Sequence, residues 1–168
     1  CGLFQYNGEE EPMFSLSCKI NMEGRHDLIP ELIELYKQKN SYIDKCHPNI
    51  WIAEKLHDIF PKALFLVAYR SKQGTINSML KHDGCMSWFH KITEFPNKYL
   101  GIDSAEIIQQ STDAELCEYR WQAHQNQIEY LKSKHFNNFF FFNYDDRHRE
   151  AKRLDYFMRI TTDKSIIK

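Results

Sequence analysis

The stretch Phe60–Lys81, FPKALFLVAYRSKQGTINSMLK, decides how the rest of this chain is read. Its first half, Ala63–Tyr69 (ALFLVAY), is a short apolar run with the length and composition of a buried strand. From about Thr75 the letters TINSMLKH read as the opening of a helix, and RSKQG between them is basic, polar and glycine-containing. A strand that turns directly into a helix exposes free backbone N–H groups and the positive end of a helix dipole at the turn. In open α/β sheets ligands bind there, outside the carboxyl ends of the strands. Arg70 falls at the strand's end and Ser78 about one turn into the expected helix, offering a forked cation and a hydroxyl to one anion. The alternative is an exposed βα loop that carries basic residues and binds nothing.

The second apolar run lies downstream. Asn137–Asn143 (NNFFFFN) places four phenylalanines in succession, which demands burial on both faces of a sheet. A helix from about Arg149 to Ile160 follows, with Leu154, Phe157 and Met158 turned inward. Before the strand, the longest expected helix runs from near Asp113 to about His135. Leu116, Tyr119, Ile128 and Leu131, with Trp121 and His124, trace its broad inner face.

Elsewhere the signals are weaker. Phe14–Ile20 (FSLSCKI) alternates like a strand, in an otherwise irregular opening of 24 residues. Asp27 is placed to cap a helix over about Leu28–Lys39, with Pro30 in its first turn. A short strand-like piece at Ser41–Asp44 leads through Pro48 and Asn49 into a helix over about Ile50–Ile59. Cys85–His90 reads as a short aromatic helix or turn. Trp88, Phe89, Phe95 and Tyr99 line either an acceptor pocket or a satellite core.

Composition narrows the class. The chain has 168 residues, 42% hydrophobic and 14% aromatic, which suits a single globular domain. Lys and Arg number 22 against 23 Asp and Glu, so the chain lacks the basic field on which duplex nucleic-acid binders rely, and no nucleic acid is expected as partner. No apolar run approaches the roughly 20 residues that span a bilayer. The acidic GEEEP at Gly8–Pro12 does not read as a basic-then-apolar leader. The start at Cys1 rather than Met allows a fragment or a processed product. Five scattered cysteines without a CxxC pair suit reduced thiols, hence a cytoplasmic setting. Cys46, His47, His82 and Cys85 match no common zinc spacing, and no metal is expected.

Taken together, Phe60-Pro61, Ala63, Phe65-Leu66, Arg70 and Ser78-Met79-Leu80 resemble the pattern "lFP.akFl...R.......SmL" of sulfotransferases that use 3′-phosphoadenosine 5′-phosphosulfate (PAPS). Further downstream, Arg120-Trp121 with His124 resembles that family's "RW..h" helix, and Phe139–Asp146, with the helix after it, resembles its "vlfi.YEd" strand, turn and helix. The resemblance covers about Lys45–Ile160. It implies a three-layer α/β sandwich with a mostly parallel sheet of P-loop-like type, and sulfuryl transfer from PAPS to a small-molecule or carbohydrate acceptor bearing a hydroxyl or amine.

By the same resemblance Arg70 and Ser78 hold the nucleotide's 3′-phosphate and Tyr144 lies near the adenine. Lys45 stabilises the leaving phosphate and His47 is the candidate base: the family carries "K.H.P" or "EK.P" motifs upstream of its phosphate-binding arginine, and Lys45 and His47 fall at about that separation from Arg70. The chain departs from the family in having Ser71-Lys72 after the arginine and Asp145 where glutamate is usual. The family's glycine-rich 5′-phosphosulfate loop has no match before Lys45. Two alternatives stay open: a non-catalytic nucleotide-binding or scaffolding relative, and a P-loop kinase-like protein using Lys72 and Thr75, although G-x-x-x-x-G-K-[ST] is absent.

Overall fold

The computed structural model describes residues 12–38, 45–92 and 94–166. They form a mixed α/β structure, mostly helical, around a small parallel sheet of two strands. Strand β1 is Phe65–Tyr69 and β2 is Phe139–Asn143, paired so that Phe65 faces Phe139 and Tyr69 faces Asn143. Parallel strands need a long crossover, and the described part of this one is mostly helical, broken by a non-helical segment that includes the bridge between Asn97 and Ile102. In chain order α1 is Pro12–Met22, α2 Ile29–Lys37 and α3 Ala53–Ile59. After β1 come α4 (Lys72–Leu80), α5 (Asp83–Phe89), α6 (Ala105–Gln110) and α7 (Asp113–Ser133). After β2 comes α8 (Arg147–Ile166). No helix among the described residues is long and apolar enough to cross a membrane.

Three apolar clusters hold these elements together. Leu16, Ile20, Ile29, Leu32, Ile52 and Leu56 join α1, α2 and α3. Ala53, Leu131 and Phe139 join α3 and α7 to the inner face of the sheet, where the rings of Phe65 and Phe139 stack 4.5 Å apart. Ile76, Met79, Phe89, Tyr99, Leu100, Ile102, Leu116 and Cys117 join α4, α5, α7 and the segment before α6. Gly101 lets that segment lie against α7. It has φ of +69°, and a Cβ there would stand 2.6 Å from the Tyr119 carbonyl oxygen.

Several expectations change. FSLSCKI is not a strand but part of α1. Its alternating Leu16, Cys18 and Ile20 conceal a helical i, i+4 pair, Leu16 and Ile20, with Ser17 buried beside them. Asp27 does not cap α2. Its carboxylate pairs with Arg25 at 2.7 Å, a single 3-10 turn (His26–Leu28) leads into the helix, and Pro30 does sit in the first turn of α2. The strand-like piece at Ser41–Asp44 lies outside the described residues. On α7, Tyr119 faces out, whereas Cys117 and Arg120 take places on the inner side. Met158 on α8 is likewise exposed rather than turned in. The start of α7 carries a signal that spacing also holds: a capping box in which Thr112 and Glu115 satisfy each other's backbone N–H groups.

One face of β1 is open. Leu66 is 55% exposed and Leu64 38%, and Ala68 between them and the sheet's end is exposed as well. On the same face of β2, Phe140 is covered by Phe157 of α8, with ring centroids 5.2 Å apart. Parallel sheets are normally covered on both faces.

Candidate anion site at the ends of the strands

Because Tyr69 and Asn143 are paired, β1 and β2 end level, and the residues that follow them meet. Arg70 Nε donates to Asp145 Oδ1 at 3.0 Å, and the backbone N–H of Ser71 donates to Asp145 Oδ2 at 2.8 Å. Ser71 is the residue preceding α4, so this carboxylate occupies the anion position at the α4 amino terminus. The turn that delivers it, Tyr144–Asp146, is fixed by the Asn143 side chain accepting from the Asp145 N–H at 3.1 Å. Hydrogen bonding from Ser71, and then Arg70, holds the Asp145 carboxyl below its ordinary range. The Tyr144 ring lies between two cations, 5.5 Å from the Arg70 guanidinium and 5.9 Å from that of Arg147.

The helix begins earlier than its letters suggest. Lys72–Leu80 is helical throughout, so only Arg70 and Ser71 of RSKQG form the turn, and Ser78 lies nearly two turns in rather than one. Gly74 breaks no helix here. It makes room for the arginine, since a Cβ on Gly74 would stand 2.6 Å from Arg70 Nε and 3.1 Å from its Cδ. Gly74 and Ser78 are four residues apart and share a face, so the Arg70 side chain crosses the same face on which the exposed Ser78 sits.

Gly74→Ala therefore makes a sharp test. Alanine favours an interior helical position over glycine by about 1 kcal/mol, while its methyl displaces Arg70 from Asp145. The expected outcome is an unchanged or higher Tm with weaker anion binding. Equal phosphate affinity in both proteins would remove Arg70 from the site.

Lys72 and Thr75 are engaged elsewhere. Lys72 Nζ contacts the Glu118 carboxylate and lies 6.0 Å from the Trp121 ring. Thr75 Oγ1 donates to the Ser71 carbonyl at 2.9 Å, inside the helix.

Lys45 and His47 form a second group. Pro48, buried, starts the 3-10 turn His47–Trp51 and leaves Lys45 and His47 exposed ahead of it. Burial first, then the charges of Arg120, Lys45 and His82, push the His47 imidazole down to about 4. His47 keeps an exposed surface, so water screens the burial contribution, and the direction towards a neutral ring is what matters chemically.

Helix α7 links the two groups through consecutive residues. Arg120 contributes to the field at His47, and Trp121 Nε1 donates to the Arg70 carbonyl at 3.4 Å. Trp88, Phe89, Phe95 and Tyr99 resolve as core rather than an open pocket, with Phe89 and Tyr99 fully buried. Among the described residues no three His, Cys, Asp or Glu side chains gather as metal ligands.

A cleft of about 570 Å³ lies at the opposite, amino ends of the strands, lined by His57, Phe136 and Asn138 among others. It contains none of the candidate residues, and the chemistry of the strands' carboxyl ends outweighs its size. Asp145 and Gly74 are the contributors that residue-by-residue reading misses. The signal available in the sequence is a small residue four positions after the arginine, where a side chain crossing the helix needs space. No family model, no curated protein and no solved structure matches the chain.

Proposed function

We propose that this chain carries the 3′-phosphate-binding part of a PAPS-dependent sulfotransferase, in a P-loop-like three-layer α/β fold, moving a sulfuryl group to a hydroxyl or amine acceptor. The observation that carries the reading is the Asp145 carboxylate seated on Arg70 Nε and the Ser71 N–H. An anion of the molecule's own already tests the donors that a 3′-phosphate would use. A phosphate brings more charge and a third oxygen, for which Ser78 stands on the same helix face. Tyr144, stacked with Arg70, supplies a flat ring for the base.

In this reading the reaction is an in-line displacement at sulfur, driven by positioning and charge neutralisation. His47, kept neutral by burial first and then by the cations around it, accepts the acceptor's proton. Lys45 neutralises charge on the bridging oxygen.

A non-catalytic nucleotide-binding relative is the second reading, favoured by the absence of a match to the 5′-phosphosulfate loop before Lys45. The described sheet stops at two strands, and Leu64 and Leu66 lie exposed on one face of it. Calorimetric titration with 3′-phosphoadenosine 5′-phosphate, ADP and AMP tests the shared premise. Selective binding of the 3′-phosphorylated nucleotide supports it. Equal affinity for ADP, or no binding by folded protein, sinks it. Sulfation of a model acceptor from PAPS then separates enzyme from relative.

A further inference from the structure

One peptide unit at the start of α4 lies outside the ladder of that helix. The ladder begins one residue later, with the Thr75 N–H donating to the Ser71 carbonyl at 3.0 Å. The peptide joining Arg70 to Ser71 therefore presents its carbonyl oxygen and its N–H to other partners. A trans peptide points these two groups in opposite directions. The N–H donates to Asp145 Oδ2 at 2.8 Å, at the candidate anion site. The carbonyl oxygen accepts from Trp121 Nε1 of α7 at 3.4 Å.

The indole is itself held in place. Its ring is half-buried against the apolar cluster that joins α4, α5 and α7, and Lys72 Nζ lies 6.0 Å from the ring centroid. The same Lys72 ammonium reaches the Glu118 carboxylate, three residues before Trp121 on one face of α7. Helix α7 thus grips the turn on both sides of the Ser71 N–H, at the Arg70 carbonyl and at Lys72. Together the two grips fix the direction in which that donor points.

We propose that Trp121 is a positioning residue of the anion site, turning the Arg70–Ser71 peptide so that its N–H, and not its carbonyl oxygen, faces the bound anion. Rotation of that peptide would set an oxygen against the anion and lose the donor. The indole bond opposes the rotation. It also polarises the peptide, since a hydrogen bond accepted at the carbonyl strengthens the donor at the other end of the same unit. The occupant this favours is an oxyanion that only accepts, such as a terminal phosphate. That the phosphate is a nucleotide's 3′-group rests on the sulfotransferase reading; the hold of Trp121 on the peptide does not.

The test uses the whole chain labelled with 15N, which carries three indole probes, Trp51, Trp88 and Trp121. Asp145→Asn weakens the acceptor on the far side of the peptide. It is expected to shift the Trp121 indole resonance upfield and to leave those of Trp51 and Trp88 in place. Trp121→Phe keeps a ring and removes the N–H. It is expected to shift the Ser71 amide upfield while Ile76 and Met79, inside α4, stay unmoved. In calorimetry it is expected to weaken 3′-phosphoadenosine 5′-phosphate about five-fold, the size of one lost hydrogen bond, and to leave AMP unchanged. A Trp121 indole that does not respond to Asp145→Asn, or equal nucleotide affinity in the Phe variant, overturns the proposal. So does a shift of the whole of α4, which marks a packing role. If the Phe variant does not fold, the Asp145→Asn spectrum decides alone. Both resonance shifts without nucleotide binding by the parent chain would sink the sulfotransferase reading and leave Trp121 as the residue that sets the peptide.

Discussion

Arg70→Ala is expected to weaken binding of 3′-phosphoadenosine 5′-phosphate about 100-fold, the size of a lost charge-assisted hydrogen bond to a doubly charged group. AMP, which lacks the 3′-phosphate, should lose little. The fold should hardly register the change. The Arg70–Asp145 pair is partly exposed on both sides, at 42% and 37% of the side chains, and ion pairs of that kind contribute little to stability. Asp145→Asn sets the opposite sign. A ligand phosphate that takes Arg70 and the Ser71 N–H must first displace the carboxylate from both. Removing its charge should tighten nucleotide binding several-fold. Calorimetry on the two variants gives a pair of opposite shifts that a merely structural ion pair cannot produce. If both variants bind as the parent does, the strand ends are not the phosphate site.

That pair also shows where sequence reading reaches and where it stops. Both strands were legible because four phenylalanines, and a run such as FLVAY, have no stable place outside a sheet. Arg70 was legible as a residue at a strand's end. Its partner was not, because Asp145 lies 75 positions away and only the level register of β1 and β2 brings the two together. Gly74 misled for a local reason. Glycine in a polar stretch signals a turn, yet here it sits inside α4 because an arginine side chain crosses the helix. FSLSCKI misled because a seven-residue window satisfies a period of two while its buried residues obey a helical one. Arg120 offered no signal of its partners. An arginine before a tryptophan reads as packing, and only the converging elements set its guanidinium against Tyr99, Cys85 and Trp88.

Burial of His124 beside Arg120 makes acid the expected route to unfolding. Burial first, and then the Arg120 charge, push the His124 imidazole down to about 4, although its Nδ1–H donates to the Arg120 carbonyl. In the unfolded chain an imidazole titrates near 6.5. Between those two values the unfolded state binds the proton and the folded state does not, so stability falls as the pH drops from about 6.5 to about 4. Above 6.5 the contribution is fully present, and below 4 no more is lost through this ring. A depression of this size corresponds to a ceiling of about 3 kcal/mol for His124, a large share of a small domain's total stability. His47 moves the same way with a smaller effect, since water reaches it. The carboxylates act in a separate window. Asp145, Glu54 and Glu115 are all held below their ordinary values, so their contributions fade only under more acidic conditions. Urea unfolding at pH 7.0, 5.5 and 4.5 should therefore show a steep loss for the parent chain. His124→Gln, whose amide N–H can still reach the Arg120 carbonyl, should show a shallower one. Parallel slopes for the two proteins would mean that the ring titrates no lower in the folded chain than in the unfolded one.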